Sequence, residues 1–578
     1  MTNSGVIAGG SSNGNAIQNN GLIQLVDNSG TMSGAGNVLA GNFGTIRNSG
    51  VILGDISGDS GGVIGTIIGG TGGTVGTFTG YTGGTQGTIG LNDNLTFASG
   101  ALLLNDSIVA KGVAASALVV SNTGADITLS TIVNLGGNFS QSAGSLNLGN
   151  AGGLVVSQAA SITGGTITTG ANGFSSTATY LKGATGGTLV SGGVGSSYAG
   201  VSIVASGGFT GLAFSSATSG TNLLLSANNI YVGDTQASIN NSDSISGTTW
   251  ALYVANTGAI GTLINSGTLT GLVNGTGLSS SGSIGSLSNS GLISGGQKGL
   301  GNQSTITNLT NTSTGTILGG TAAGLQNDTS MGTLTNAGLI SSGSAGFANY
   351  GTLGLLSNSG SINGGPQGIY LDGNSSAGTI NNSGTITSGQ SAVQVSGTLG
   401  SLVNSGYIGN ATNALNVAGT LTTLVNANGG TLSGNNVIYV SGTLGGLSNS
   451  GVIKGRIDNQ TANTLTITGG AAGTIGTLTG TSGIGTINNT LSNVVFASGN
   501  LLLNDRIIAT GRTVSNTGAS LSLASNISIT GNYSQSAGTL SLTPGTSSLI
   551  VSGAANLSGG TVLANCRARR ITWRAVIR

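Results

Sequence analysis

Residues 398–419 read TLGSLVNSGYIGNATNALNVAG, and the spacing of their aliphatic side chains decides the fold. Leu399 and Leu402 lie five and two positions before Asn404, and Ile408 lies four positions after it. A second block at the end of the stretch alternates aliphatic and polar residues and closes on glycine. Alternation with a period of two, over three to five residues bounded by glycine, is typical of short β-strands. The stretch therefore predicts three short strands joined by tight turns.

The same unit recurs along the chain with asparagine at one fixed position, and similar units begin at Asn3, Asn28 and Asn48. A unit this small cannot bury its apolar side chains alone, so its copies are expected to stack. This predicts an all-β protein, an elongated right-handed parallel β-helix (β-solenoid) with about 22–25 residues per coil. Asparagine at one position per coil predicts an amide ladder, in which each side chain bonds its copy in the next coil. The predicted members are Asn265, Asn289, Asn311, Asn336, Asn358, Asn382, Asn404, Asn426 and Asn449.

A longer duplication overlies the short repeat. FASGALLLND at 97–106 matches FASGNLLLND at 496–505, and we call the surrounding segments Phe-Ala-Ser-Gly modules. Asp106 and Asp505 end these two strings and are expected to mark turns. The pattern predicts N-terminal coils at 1–80, a first module at 81–230, an Asn-Ser-Gly array at 231–470, a second module at 471–565 and an arginine-rich tail at 566–578.

The composition argues against several kinds of site. Of 578 residues, 112 are glycine, 4% are charged, one is cysteine and none is histidine. The chain therefore lacks the ligands of a zinc site and the histidine base of a Ser-His-Asp triad. Its main body also lacks the clustered basic residues that bind nucleic acid. We expect no enzymatic activity, no metal, no cofactor and no nucleic-acid partner.

Two short strings and the chain ends need separate interpretation. GDSGG at 58–62 matches a protease motif, but no histidine is present to activate Ser60. No apolar run reaches the 18 residues of a membrane helix, and residues 1–10 do not form a signal peptide. Five of the 13 basic residues lie in the tail 566–578. We expect this tail to be either the product of a shifted reading frame or broken gene, or a cationic arm that binds acidic lipid or nucleic acid.

Two groups of residues on the third strand of each coil are candidates for chemistry. Residues between the inward positions are expected to point outward as one column of amides and phenols, able to contact a polymer or a partner surface. The competing interpretation is a solvated face whose tyrosines cover the aliphatic side chains. Asp328 and Asp372 lie two coils apart and are expected in one row, as a polysaccharide-acting carboxylate enzyme would need. The outward column comprises Gln326, Ala348, Tyr370, Gln394, Asn416 and Tyr439.

The arrays, together with GNYSQSAGTLSL at 531–542 and VSGAANLSGGTV at 551–562, resemble the passenger domains of bacterial autotransporters, the type V secreted surface proteins. The resemblance covers nearly all of residues 1–563. It implies a fragment of a longer protein, secreted and held at the outer membrane, whose β-helical stalk adheres to host cells, matrix or other bacteria. It implies no membrane insertion by this chain itself. The alternatives are a self-assembling structural β-fibre and a β-helical polysaccharide-acting enzyme.

Overall fold

The computed structural model of the chain describes residues 1–58, 61–205, 211–410, 412–471 and 473–564. Parallel strands stack in successive coils and form a β-solenoid of about 25 turns with about 22 residues per turn, which confirms the predicted all-β fold. Within the described ranges, no helix is long and apolar enough to cross a membrane. Ser60 of the GDSGG string and the tail 566–578 lie outside these ranges.

The chain divides into two compact units, Met1–Ile230 and a second unit that begins at Tyr231. The strands of the first unit are Thr2–Asn3, Val6–Ala8, Ile17–Asn28, Thr31–Asn48, Val51–Ser57, Ile64–Ile68, Gly76–Thr79, Thr88–Leu91, Leu95–Leu104, Ser107–Ala110, Val119–Asn122, Ala125–Thr128, Ile132–Leu135, Asn138–Gln141, Ser145–Gly149, Gly153–Val156, Ala160–Ile162, Thr166–Thr169, Thr185–Ser191, Ser202–Ala205, Phe214–Ser219 and Asn222–Ala227.

In the second unit, each coil of the Asn-Ser-Gly array contains three strands, which we call first, second and third. The first strands, each ending on a ladder asparagine, are Thr235–Asn241, Ala259–Asn265, Ser283–Asn289, Thr305–Asn311, Ser330–Asn336, Thr352–Asn358, Ser376–Asn382, Thr398–Asn404, Thr420–Asn426 and Thr443–Asn449. The second strands are Ser244–Gly247, Thr268–Gly271, Leu292–Gly295, Thr316–Gly319, Leu339–Ser342, Ser361–Gly364, Thr385–Ser388, Tyr407–Gly409, Thr431–Ser433 and Val452–Lys454.

The third strands complete each coil, and the second module follows them. The third strands are Ile230–Val232, Trp250–Val254, Thr276–Ser280, Lys298–Asn302, Ala323–Asn327, Ala345–Asn349, Gln367–Leu371, Ser391–Val395, Asn413–Val417, Ile438–Val440 and Arg456–Asn459. The later strands are Leu465–Thr468, Gly476–Thr479, Gly485–Asn488, Val494–Ser498, Asn500–Asn516, Ser520–Leu523, Ile527–Gln535, Thr539–Leu542, Leu549–Val551, Ala555–Leu557 and Thr561–Ala564.

Strands of one kind pair in parallel and in register from coil to coil. Ile380, for example, pairs with Leu356 in the coil before and with Leu402 in the coil after. Side chains at the predicted aliphatic positions are buried between the three stacks of strands, which confirms the inward positions predicted from the sequence. Members of these columns include Leu356, Ile380 and Leu402 of the first strands, Ile362, Ile386 and Ile408 of the second, and Phe347, Ile369 and Val393 of the third.

The glycine of the Asn-Ser-Gly motif is required by the close approach of consecutive coils. A Cβ atom on Gly384 would lie 2.1 Å from the carbonyl oxygen of Gly360, its counterpart in the coil before. Real Cβ atoms do not approach backbone that closely. The motif therefore combines a turn with close packing of one coil on the next.

Pairing departs from the parallel pattern at the end of the first unit. The strands Phe214–Ser219 and Asn222–Ala227 form an antiparallel hairpin, and the latter also pairs antiparallel with Thr185–Ser191. Gly220, with φ of 59°, begins the two-residue turn and allows the chain to reverse. The parallel pairing of the solenoid is interrupted in this segment.

One of the turns expected at the two LLLND strings needs correction. Asp505 lies inside the continuous strand Asn500–Asn516, and the turn expected there is wrong. Asp106 lies in a bend between Leu95–Leu104 and Ser107–Ala110. The bend at Asp106 agrees with the predicted turn, and both aspartate side chains are buried, at 0% and 1% exposure.

Candidate contact face

The fixed asparagines of the array form one continuous ladder of side-chain hydrogen bonds. Each Nδ2 donates to the Oδ1 of the asparagine one coil further along the chain, at 2.7–2.9 Å. The bonds join Asn265, Asn289, Asn311, Asn336, Asn358, Asn382, Asn404, Asn426 and Asn449, and Asn241 extends the ladder by one coil before them. A shorter ladder joins Asn3, Asn28 and Asn48 in the first unit.

The ladder is directional, because every amide donates toward the C-terminus. Besides its bond to Asn382, Nδ2 of Asn358 donates to the backbone oxygens of Gly360 at 3.3 Å and Thr385 at 3.2 Å. The predicted ladder residues are at most 2% exposed. Buried amides with their hydrogen-bonding groups paired stabilise the fold and leave nothing for a ligand, so the ladder is a structural element.

The sequence analysis missed a second ladder at the end of the third strands. Asn302 Nδ2 donates to Asn327 Oδ1 at 2.7 Å, and Asn327 Nδ2 donates to Asn349 Oδ1 at 2.7 Å. All three side chains are fully buried. Their spacing of 25 and 22 residues repeats the spacing of the main ladder, and this was the signal available in the sequence.

The predicted outward column forms one row, because its residues pair in register across six coils. Pairing joins each residue of the row to the next. Ala348 is the exception to outward exposure, since it is 2% exposed and the Tyr370 ring packs against it. The other members, all partly exposed, are Gln326, Tyr370, Gln394, Asn416 and Tyr439. We call this row, together with the neighbouring column of Asp328, Tyr350 and Asp372, the contact face.

The second column of the contact face lies two residues further along each third strand. It places Asp328, Tyr350 and Asp372 in consecutive coils, with the tyrosine between the two carboxylates. Tyr350 is 42% exposed, and its ring lies edge-on to Tyr370, with ring centroids 5.9 Å apart. The sequence analysis placed both aspartates in one row but missed Tyr350, because this residue follows the strand instead of lying within its alternating run.

The position of Tyr350 limits what the two carboxylates can do together. Two coil spacings separate the backbones of Asp328 and Asp372 by about 9.6 Å. Retaining glycosidases hold their carboxyl groups about 5–5.5 Å apart, and inverting ones leave room for water between them. Here the side chain of Tyr350 lies between the two aspartates in the stack. The arrangement therefore suits contact with a surface better than acid and base catalysis.

Hydrogen bonds within the face orient both carboxylates. Gln326 Nε2 donates to Asp328 Oδ1 at 2.6 Å, and Tyr370 Oη donates to Asp372 Oδ1 at 3.1 Å. Neither aspartate forms an ion pair with a basic side chain of the described residues. Asp328 and Asp372 are also the only charged residues between positions 299 and 453. They concentrate negative charge on a face that is otherwise neutral.

This charge also affects the phenols beside it. Burial raises the pKa of Tyr350 above its ordinary value, and the charges of Asp372 and Asp328 raise it further. Burial likewise raises the pKa of Tyr370, with additional contributions from its hydrogen bond to Asp372 and from that carboxylate's charge. Both phenols therefore stay protonated, and the Tyr370 hydroxyl keeps its hydrogen bond to Asp372.

Beyond Tyr370 the face carries uncharged amides. Gln394 Nε2 donates to Ser396 Oγ at 3.1 Å. The Oδ1 atom of Asn416 is buried and accepts no hydrogen bond from the described part of the chain. No group of three potential metal ligands occurs within the described ranges.

The contact face is thus a row of amides and phenols beside an aromatic residue flanked by carboxylates. Its geometry has to be interpreted from this chain alone, because no family model, curated protein or solved structure matches the sequence or the fold.

Proposed function

We propose that the chain is a non-enzymatic passenger or stalk, exposed at a bacterial cell surface, that presents an adhesive face to host cells, matrix or other bacteria. The observation that carries the proposal is the contact face, with exposed Tyr350 between Asp328 and Asp372 on an otherwise uncharged sheet. Tyrosine is favoured in interfaces because its ring is apolar and its hydroxyl forms hydrogen bonds. The resemblance to autotransporter passengers supports the location.

The rest of the second unit suits a supporting role. Its aliphatic columns are fully buried, and its ladder amides are paired with one another from coil to coil. Stacked repeats of this kind hold surface residues at a fixed spacing of about 4.8 Å between coils. Such a scaffold presents a row of side chains to a partner without needing a pocket.

A binding assay with the purified chain tests the proposal. Fluorescent beads coated with the chain are counted on host cells, on matrix-coated plates and on bacterial lawns. Tyr350→Ala is expected to reduce attachment at least several-fold, because it removes the exposed aromatic contact. Asn381→Ala, which changes an exposed residue of a first strand, serves as the matched control and should leave attachment unchanged. Equal attachment by the wild type and Tyr350→Ala, or no attachment anywhere, would contradict the proposal.

Self-association is a second candidate, favoured by the near absence of charge. With two charged residues between positions 299 and 453, little electrostatic repulsion opposes contact between copies. Sedimentation velocity over a hundredfold range of concentration separates the two functions. Filaments that lengthen with concentration would support a structural fibre, and a monomer throughout would exclude it.

A further inference from the structure

Each Phe-Ala-Ser-Gly module buries one carboxyl group at the same place. Asp106 is 0% exposed: its Oδ1 accepts one hydrogen bond, from the Gly87 backbone N–H at 2.9 Å, and its buried Oδ2 accepts none. Asp505 is 1% exposed, its two buried oxygens accept no hydrogen bond of good geometry, and the backbone N–H of Gly485, its strand partner, is the one donor beside it. An ionised carboxylate with at most one such donor is costly to bury, so both groups favour the neutral form.

The charged groups on the surrounding strands do not supply the missing partners. Asp106 lies near Asp55 of Val51–Ser57, and Lys111, which follows the strand Ser107–Ala110, donates to Ser57 Oγ at 2.7 Å. Arg506, next to Asp505, donates from Nε to Thr486 Oγ1, and on the strand beyond Thr486 the side chains of Arg456 and Asp458 pair with each other at 2.9 Å. Neither buried aspartate has an ion-pair partner in the described part of the chain.

Comparison of the two modules identifies burial as the cause of the neutral state. The stretch NSGVILGDI at 48–56, before the first module, matches NSGVIKGRI at 449–457, before the second, so Asp55 corresponds to Arg456. The charge of Asp55 adds to the pKa shift of Asp106, whereas no charged neighbour contributes to that of Asp505. Burial nevertheless raises the pKa of both Asp106 and Asp505 to about 7.

An exposed loop covers each buried carboxyl group. Residues 81–86 are exposed and connect Gly76–Thr79 to Thr88–Leu91, while residues 481–484 are exposed and connect Gly476–Thr479 to Gly485–Asn488. The asparagine before each aspartate holds its loop: Asn105 Nδ2 donates to the Thr85 oxygen, and Asn504 Nδ2 donates to the Gly483 oxygen. Gly87 and Gly485, which lie against the two carboxyl groups, directly follow these loops, so displacing a loop would bring water to the carboxyl group.

We propose that Asp106 and Asp505 are the sensing groups of a pH-dependent opening of the loops at 80–87 and 480–485, which close in acid and open above neutrality. An acid whose pKa is higher in the closed state than in the open state stabilises the closed state while it is protonated. The ordinary aspartate pKa is 3.8, against about 7 here. The stabilisation of the closed loop is therefore greatest below pH 4, falls as pH rises, and is fully lost above about pH 7.

Hydrogen exchange of the full chain, corrected for the intrinsic effect of pH on exchange, tests this proposal. In the wild type, the opening equilibrium of both loops is expected to rise on the order of 50- to 100-fold between pH 5 and pH 8. Asp106→Asn with Asp505→Asn keeps the shape of a protonated carboxyl group and cannot ionise. This double variant is expected to fold and to show a change of less than about twofold over the same range.

Asp126→Asn provides the matched control, because Asp126 is exposed and lies in the same module as Asp106. It is expected to keep the pH dependence of the wild type. Loop exchange in the wild type that does not change with pH would overturn the proposal. A pH dependence that persists in the double variant, or that disappears in Asp126→Asn, would also overturn it.

Discussion

Replacing one ladder asparagine by alanine tests which coil loses stability when one amide is removed from the directional ladder. In Asn358→Ala, Asn336 Nδ2 keeps its bonds to the backbone oxygens of Gly338 and Ser361, at 3.2 and 3.1 Å. Asn382 Oδ1, in contrast, loses the Asn358 amide, the donor that reaches it at 2.7 Å. Because the amides all donate toward the C-terminus, the damage falls on the coil that follows the substitution.

The size of the stability loss in Asn358→Ala follows from that single unpaired oxygen. A buried acceptor without a partner costs about 1–3 kcal/mol, and the truncated amide leaves a small void between coils. We expect a total of about 2–4 kcal/mol for Asn358→Ala. Asn449 ends the ladder, and its Nδ2 donates to the backbone oxygen of Thr477. Asn449→Ala leaves no amide oxygen unpaired, so its loss of stability should be smaller than that of Asn358→Ala by about 1–3 kcal/mol.

Native-state hydrogen exchange measures these costs coil by coil, which suits a repeat protein that does not unfold in one step. The N–H groups of Ser383 and Gly384 donate to the Asn358 backbone oxygen at 2.8 and 3.0 Å and report directly on the damaged coil. Their exchange should accelerate about 30- to 700-fold in Asn358→Ala. Equal acceleration of the corresponding coil in Asn449→Ala, or none in Asn358→Ala, would refute the directional argument.

Two further predictions concern the turns and the contact face. In Gly360→Ala the new Cβ would lie 2.2 Å from the Gly338 oxygen, whereas Gly446→Ala meets nothing within 4 Å. We therefore expect Gly360→Ala to lower the local stability by about 1–3 kcal/mol and Gly446→Ala to change it by less than about 0.5 kcal/mol. The same hydrogen-exchange experiment measures both. In the double variant Asp328→Asn with Asp372→Asn, the pKa of Tyr350 should fall but remain above its ordinary value, because burial is the largest cause of its shift. Ultraviolet titration against the same variant carrying Tyr350→Phe measures this, and an unchanged pKa would contradict the charge contribution.

The coil and the main ladder were predictable because both follow from period and residue type. Nine asparagines at nearly constant spacing, each preceded by aliphatic residues, leave few arrangements other than a stack. Tyr350 was harder to predict, since it lies just after a strand, where period-two alternation has ended. Asp505 was misjudged because aspartate after asparagine usually indicates a turn, and burial of its carboxyl depends on a loop that is distant in sequence. The hairpin ending at Ala227 was not predictable, because it depends on one glycine turn and glycine is common throughout the chain.

Coils of the array differ in length, and the contact face keeps its register because the turns after the ladder asparagines absorb the difference. Asn311 is followed by Gly315, where most coils have glycine two residues after the asparagine, yet Asn311 Nδ2 still donates to the Gly315 oxygen at 3.1 Å. The extra residues are accommodated in the turn, and the strands on either side pair without a shift. Asp328, which follows the third strand of this same coil, therefore remains aligned with Asp372 two coils further on. Insertions in the turns after the ladder should consequently be tolerated, whereas a single-residue insertion within Ala345–Asn349 would turn the face residues of that coil into the core.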